Sequence, residues 1–121
     1  MITRIDHVQI TIPRGAEDQA RRFYCELLGL REIEKPEELR GRGGFWLELA
    51  DVQVHVGVED GADRAGSKAH IAYEVRDLEG WRKKLQSIDV RIIDSIRIPG
   101  WSRFEFRDPF GNRVEFLERT E

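Results

Sequence analysis

Cysteine is almost absent from this chain: Cys25 stands alone among 121 residues. A single thiol excludes an internal disulfide and fits a reducing compartment, so a cytoplasmic protein is expected. Long apolar runs are missing too, and nothing approaches the length of a membrane span. Met1 leads straight into a strand-like run, without the basic and apolar regions of a secretory leader. No excess of one charge sign exists either, because 20 Lys and Arg face 23 Asp and Glu for a formal charge of −3. That balance argues against general electrostatic capture of nucleic acid or an anionic membrane. Gly41, Gly43 and Gly44 do not form a phosphate loop, since the Lys-Ser/Thr pair and the strand-to-helix setting are lacking. Cys25 lies between Tyr24 and Glu26 with no histidine partner in the pattern, which speaks against a nucleophilic role.

What is present is an order of elements that occurs twice. A strand is expected at about 4–12, followed by a helical stripe from Ala16 to Leu28 that carries Ala20, Phe23, Tyr24 and Leu27. Gly29 can end that helix in the left-handed conformation. A short strand near 30–35, a solvated charge-rich loop Pro36–Gly44 and strands Phe45–Leu49 and Val52–Val58 complete the first half. The second half opens with a strand at about 69–75 and Asp77 as a helix N-cap. Its helix has Leu78, Trp81, Leu85 and Ile88 on one face. A strand over Val90–Ile98 follows, and Arg103–Arg107 pairs with Asn112–Glu118 across the turn Asp108-Pro109-Phe110-Gly111. The reading is one domain, 1–121, of α+β class. Two βαβββ modules, about 1–59 and 69–121, are joined by a polar linker at about 59–68.

All three histidines fall on the polar side of alternating runs. Val8, Ile10 and Ile12 oppose His7; Val54, Val56 and Val58 oppose His55; Ile71, Tyr73 and Val75 oppose His70. In the last run Val114 and Phe116 oppose Glu115. His7 and His70 open their modules, while His55 and Glu115 lie in their modules' last strands. Internal repetition and ligand chemistry therefore select the same four residues. Three imidazoles and a carboxylate suit a divalent transition metal such as Zn, Ni, Co, Mn or Fe. His55 is either a fourth ligand or, unligated, a general base. Gln9 and Glu74 are candidates to orient the imidazoles.

On Asp6-His7-Val8, on Phe23-Tyr24-Cys25-Glu26-Leu27-Leu28-Gly29-Leu30, on His70 and on Asp108-Pro109-Phe110-Gly111-Asn112-Arg113-Val114-Glu115-Phe116, the chain resembles the vicinal oxygen chelate superfamily. This is the glyoxalase, bleomycin-resistance and dioxygenase group. The resemblance implies two modules pairing into an open, eight-stranded, cup-like sheet with helices outside. It also implies metal ligands His7, His70 and Glu115, with His55 at the fourth place. Glyoxalase I enzymes carry a carboxylate there, so a proton-shuttling carboxylate pair becomes one carboxylate, Glu115, and one imidazole.

The resemblance implies several activities, because fold does not fix function. The expectation is a metal-dependent lyase, isomerase or thiol transferase whose small substrate chelates the ion through neighbouring oxygens. The alternatives are an extradiol-type dioxygenase and a binding protein that sequesters a drug or metabolite without turnover. Relatives of this size pair modules between chains, so a homodimer is expected, with His7 and His55 of one copy facing His70 and Glu115 of the other. By alternation, Trp46, Glu48, Arg103 and Glu105 are expected to line the substrate pocket, with Arg103 as the anion contact. Trp101 is a candidate to stack on substrate.

Overall fold

The period-two runs of each half become an open four-stranded mixed sheet. The computed structural model describes residues 1–120, in two compact units that divide between Ala62 and Asp63. The chain is α+β, with short helices.

In the first unit the strands are β1 (His7–Ile12), β2 (Arg31–Ile33), β3 (Phe45–Leu49) and β4 (Val52–Val58), in the order β1-β4-β3-β2. β1 runs parallel to β4, while β3 pairs antiparallel with both β4 and β2. Ile12, Phe45, Leu47, Val54 and Val56 are buried on one face. The expected strand at 4–12 begins only at His7, because Arg4 turns its guanidinium onto the carbonyls of Ile5 and Asp51 and onto the Asp6 carboxylate. The expected helix over 16–28 is one α-helical turn, α1 (Glu17–Arg21), that widens into a π-helical segment at Arg22–Leu27. There the Leu28 N–H reaches back five residues to the Phe23 carbonyl. The wider turn accommodates consecutive aromatics, Phe23 and Tyr24, that are both buried. Within the expected loop 36–44, residues Glu37–Arg42 form a 3₁₀ turn.

The second unit has β5 (His70–Glu74), β6 (Ile93–Asp94), β7 (Trp101–Arg107) and β8 (Arg113–Arg119), ordered β5-β8-β7-β6, and the helix α2 (Leu78–Ser87). β5 is parallel to β8, and β7 pairs antiparallel with β8 and β6. Its core is aromatic: Phe104, Phe106, Phe116 and Tyr73 are buried, and Trp81 of α2 meets Phe116 edge-on. Asp77 caps α2 as expected, accepting from the Gly80 N–H at 3.1 Å, but does so from a left-handed backbone. The Glu118 carboxylate accepts the N–H groups of Asp77 and Leu78 and so completes the helix start.

The strand expected over Val90–Ile98 shrinks to Ile93–Asp94 and an isolated bridge from Ile98 to Trp101. Ile93, Ile96 and Ile98 are exposed, so no shared buried face holds the segment to the sheet. No helix among the described residues is long and apolar enough to cross a membrane.

Candidate metal centre

The β7–β8 hairpin places the chemistry of the second unit. Asp108 is buried, and its Oδ1 accepts the N–H groups of Phe110 and Asn112 at 2.9 and 2.8 Å. Its Oδ2 accepts the Asn112 amide at 2.8 Å. Gly111 completes the turn at φ 100°, where a Cβ would also press within 2.9 Å of the Ala65 nitrogen. This turn sets the register in which Glu105 stands directly opposite Glu115, and β5 then lays His70 beside Arg113.

One imidazole and two carboxylates converge as a result. Single ligand atoms of His70, Glu105 and Glu115 lie within 4.8 Å of one another. His70 Nε2 is 3.0 Å from Glu115 Oε1, while its Nδ1 is 2.9 Å from the Lys68 carbonyl. A carbonyl only accepts, so Nδ1 carries the proton. The other ring nitrogen, Nε2, faces a carboxylate oxygen. That arrangement repels unless a proton or a cation lies between them.

The His70–Glu115 spacing suits two ligands of one metal ion. Ligands about 2.1 Å from an ion and at right angles to each other stand about 3 Å apart. Two arginines share the cluster. Arg113 donates through Nε and Nη2 to Glu105 Oε2, and Arg103 Nη1 lies 3.4 Å from Glu115 Oε2. Two guanidinium charges balance two carboxylates, so a dication would enter a site that is formally neutral before it arrives.

In the first unit, His55 lies between two rings. Trp46 stacks on it at 3.8 Å and His7 at 4.1 Å, with interplanar angles of 5° and 11°. Cross-strand register explains the contact with Trp46, which sits opposite His55. Imidazole lone pairs lie in the ring plane, so those of two stacked rings run side by side and do not converge on one ion. His55 Nε2 is 2.8 Å from Gln53 Oε1, and His7 Nδ1 is 3.0 Å from Asp6 Oδ2. Burial, reinforced by His7 and Lys35 and opposed by Asp6, pushes the His55 pKa down. The hydrogen bond with His7 holds the Asp6 carboxyl below its usual range. The stack faces a concavity of about 630 Å³ whose wall includes Lys35, Arg42, Gln9 and Gln53.

The other expected site residues have definite partners. Glu48 pairs with Arg31 at 2.7 Å on the β2 side of its sheet. Arg103 and Glu105 do not bridge each other; each pairs across the hairpin instead, Arg103 with Glu115 and Glu105 with Arg113. Trp101 carries the Arg119 guanidinium on its ring at 4.5 Å. The imidazoles are oriented by Asp6, Gln53 and the Lys68 carbonyl. Glu74 is turned toward Arg119, and Gln9 lies against Gly57.

Glu105 as a partner of His70 and Glu115 was missed as a candidate ligand, although equal steps back and forward from Phe110 lead to Glu105 and Glu115. Counting across the turn would have found it.

Known proteins agree with this architecture. A model of the Glyoxalase/Bleomycin resistance protein/Dioxygenase superfamily matches residues 4–116. A glyoxalase family protein from Bacillus anthracis is 42% identical, covering 99% of this chain and 98% of its own, with a TM-score of 0.89. The fosfomycin resistance protein FosX from Listeria monocytogenes, in complex with Mn(II) and sulfate, shares the fold at 14% identity, 99% and 93% coverage and a TM-score of 0.79. Lactoylglutathione lyase from Agrobacterium tumefaciens does so at 17% identity, 98% and 95% coverage and a TM-score of 0.73. No curated protein matches the chain. With the family model spanning nearly its whole length, the chain belongs to the Glyoxalase/Bleomycin resistance protein/Dioxygenase superfamily.

Proposed function

We propose that this protein is a divalent-metal-dependent enzyme acting on a small substrate that chelates the ion through two neighbouring oxygens. His70, Glu115 and Glu105 hold the ion. The observation that carries this reading is the convergence of one imidazole and two carboxylates: ligand atoms of His70, Glu105 and Glu115 lie within 4.8 Å of one another, with His70 Nε2 3.0 Å from Glu115 Oε1. Two carboxylate donors and one imidazole favour harder ions, Mn or Fe before Zn. The FosX neighbour, which binds Mn(II), supports the same direction.

When bound, the metal would act as a Lewis acid that stabilises negative charge on substrate oxygens. The chain's own part is to fix the tautomer of His70, to keep Glu105 and Glu115 largely out of water, and to supply a neutral imidazole at His55. His55 is the general base of this proposal. Its Nε2–H is held by Gln53, its Nδ1 bears the lone pair, and burial keeps it deprotonated. The reaction class is that of a lyase, isomerase or thiol transferase. The protein works as a homodimer in which His7 of one copy adds a ligand to His70 and Glu115 of the other.

One observation favours a second reading, a binding protein without turnover. Arg103 and Arg113 already neutralise the two carboxylates, so the cluster can exist as an ion-pair network. Metal content of untagged protein, measured beside His70→Ala, separates the two. Near-stoichiometric Mn, Fe, Co, Ni or Zn that is lost in the variant supports the enzyme and narrows the substrate screen. Absence of metal after incubation with each ion leaves the binding protein.

A further inference from the structure

We propose that Arg103 and Arg113 are positioning residues that restrict Glu115 and Glu105 to one ligating oxygen each, which keeps adjacent coordination positions open for a chelating substrate. The inference rests on the metal reading above.

Its basis is how the two guanidinium groups divide the carboxylate oxygens. Arg103 is fixed from behind: Nε and Nη2 both donate to the Ile96 carbonyl, at 3.0 and 2.7 Å. Only Nη1 is left to meet Glu115, and it meets Oε2 at 3.4 Å, while Oε1 faces His70 Nε2. Arg113 treats Glu105 alike, bringing both Nε and Nη2 to the single oxygen Oε2. In each pair one oxygen is held by a cation. The Glu115 and Glu105 side chains are 9% and 8% exposed, so water screens these contacts little.

The count of positions shows the consequence. On a six-coordinate ion, two bidentate carboxylates and one imidazole would leave one open position, too few for a substrate that binds through two oxygens. With each carboxylate restricted to one oxygen, three positions remain, and two adjacent ones accept the chelate even after a further histidine ligand arrives. A rigid planar fork suits this restraint better than a flexible ammonium.

Mn(II) alone is the probe. Water-proton relaxation per bound Mn(II) reports the coordination positions open to solvent, and competition with a chromophoric chelator gives the affinity. In Arg103→Met, Glu115 is free to close both oxygens on the ion. Relaxation enhancement should then fall by roughly a third to a half, and affinity should rise several-fold as a nearby positive charge is removed. Arg103→Lys should restore part of the wild-type enhancement. Arg113→Met makes the same test at Glu105 and serves if the first variant does not fold by circular dichroism. Folded variants with wild-type relaxation and affinity would overturn the inference while leaving the metal site intact. A wild-type protein that takes up no Mn(II) overturns this inference together with the metal reading.

Discussion

Glu105 and Glu115 face each other directly across the β7–β8 ladder, both largely shielded from water, with His70 and two arginines around them. Like charges at such a position cost stability unless cations occupy the space between them. Arg103 and Arg113 supply that compensation in formal charge, and a divalent ion held by the same carboxylates would add to it.

A ligand that binds only the folded state stabilises it by mass action, about 2.7 kcal/mol at a concentration a hundred times its dissociation constant. For a chain of this size that corresponds to roughly 10 °C in melting temperature. Saturating Mn(II) should therefore raise the midpoint of wild-type protein. His70→Ala and Glu115→Gln should abolish the rise while folding normally. An equal shift in all three proteins would place the metal elsewhere.

If His7 of one copy serves the site of another, damage to the two ends of the chain should complement. His7→Ala and His70→Ala homodimers each lack one ligand in both sites. After joint unfolding and refolding, a mixed dimer would hold one site with every ligand and one with two missing. About half of the dimers in such a mixture should be mixed, and so about a quarter of wild-type metal binding should return, in fewer sites of full affinity. Recovery of none, or a protein that sediments as a monomer while holding its metal, rules out sharing.

The sequence discloses the strand faces because alternation is local. His7, His55, His70 and Glu115 can be placed on polar faces without knowing any partner strand. The pairing of β3 with β4 and of β7 with β8 was equally legible, since tight turns at Asp51 and at 108–111 join them. What alternation alone does not reveal is which polar residues meet. The contacts of Arg103 with Glu115 and of Arg113 with Glu105 depend on strand register, and the His55 stack depends on which side each ring leans. Val90–Ile98 misleads because β-branched residues signal a strand only where a face is buried, and Ile96 is 84% exposed. The π-helical widening after Arg21 has no signature beyond the adjacent pair Phe23 and Tyr24.

The start of α2 offers a test in which two effects oppose each other. In an exposed helix, replacing Gly with Ala gains up to about 1 kcal/mol. At Gly80 the added Cβ would lie 2.2 Å from Asp77 Oδ2, the carboxylate that caps the helix. Losing a cap costs typically about 1 kcal/mol and up to about 2. The clash displaces the capping carboxylate, so Gly80→Ala should fail to gain the helix-propensity stability and should destabilise the protein by up to about 1 kcal/mol in urea titration. A more stable variant would show that Asp77 does not hold the helix start.

The lowered pKa of His55 predicts a pH dependence of defined sign. Burial disfavours the imidazolium, and His7 and Lys35 add to that, so the folded protein holds this proton less tightly than the unfolded chain, whose value is the ordinary 6.5. The unfolded state then binds more protons as pH falls below 6.5, and each one bound draws the equilibrium toward unfolding. The stability contributed by neutral His55 is complete above that value and is lost progressively as pH falls through the lowered folded value. Asp6 and Glu17 are shifted in the same direction but act near and below their own ordinary values of 3.8 and 4.5, outside this window. Urea denaturation of metal-free protein between pH 7.5 and 5 should therefore show stability declining toward acid, with the decline flattened in His55→Gln. An NMR titration of the His55 ring should give a midpoint below 6.5. A midpoint at or above 6.5 would mean that the ring between Trp46 and His7 is hydrated, and it would remove the case for His55 as a neutral base.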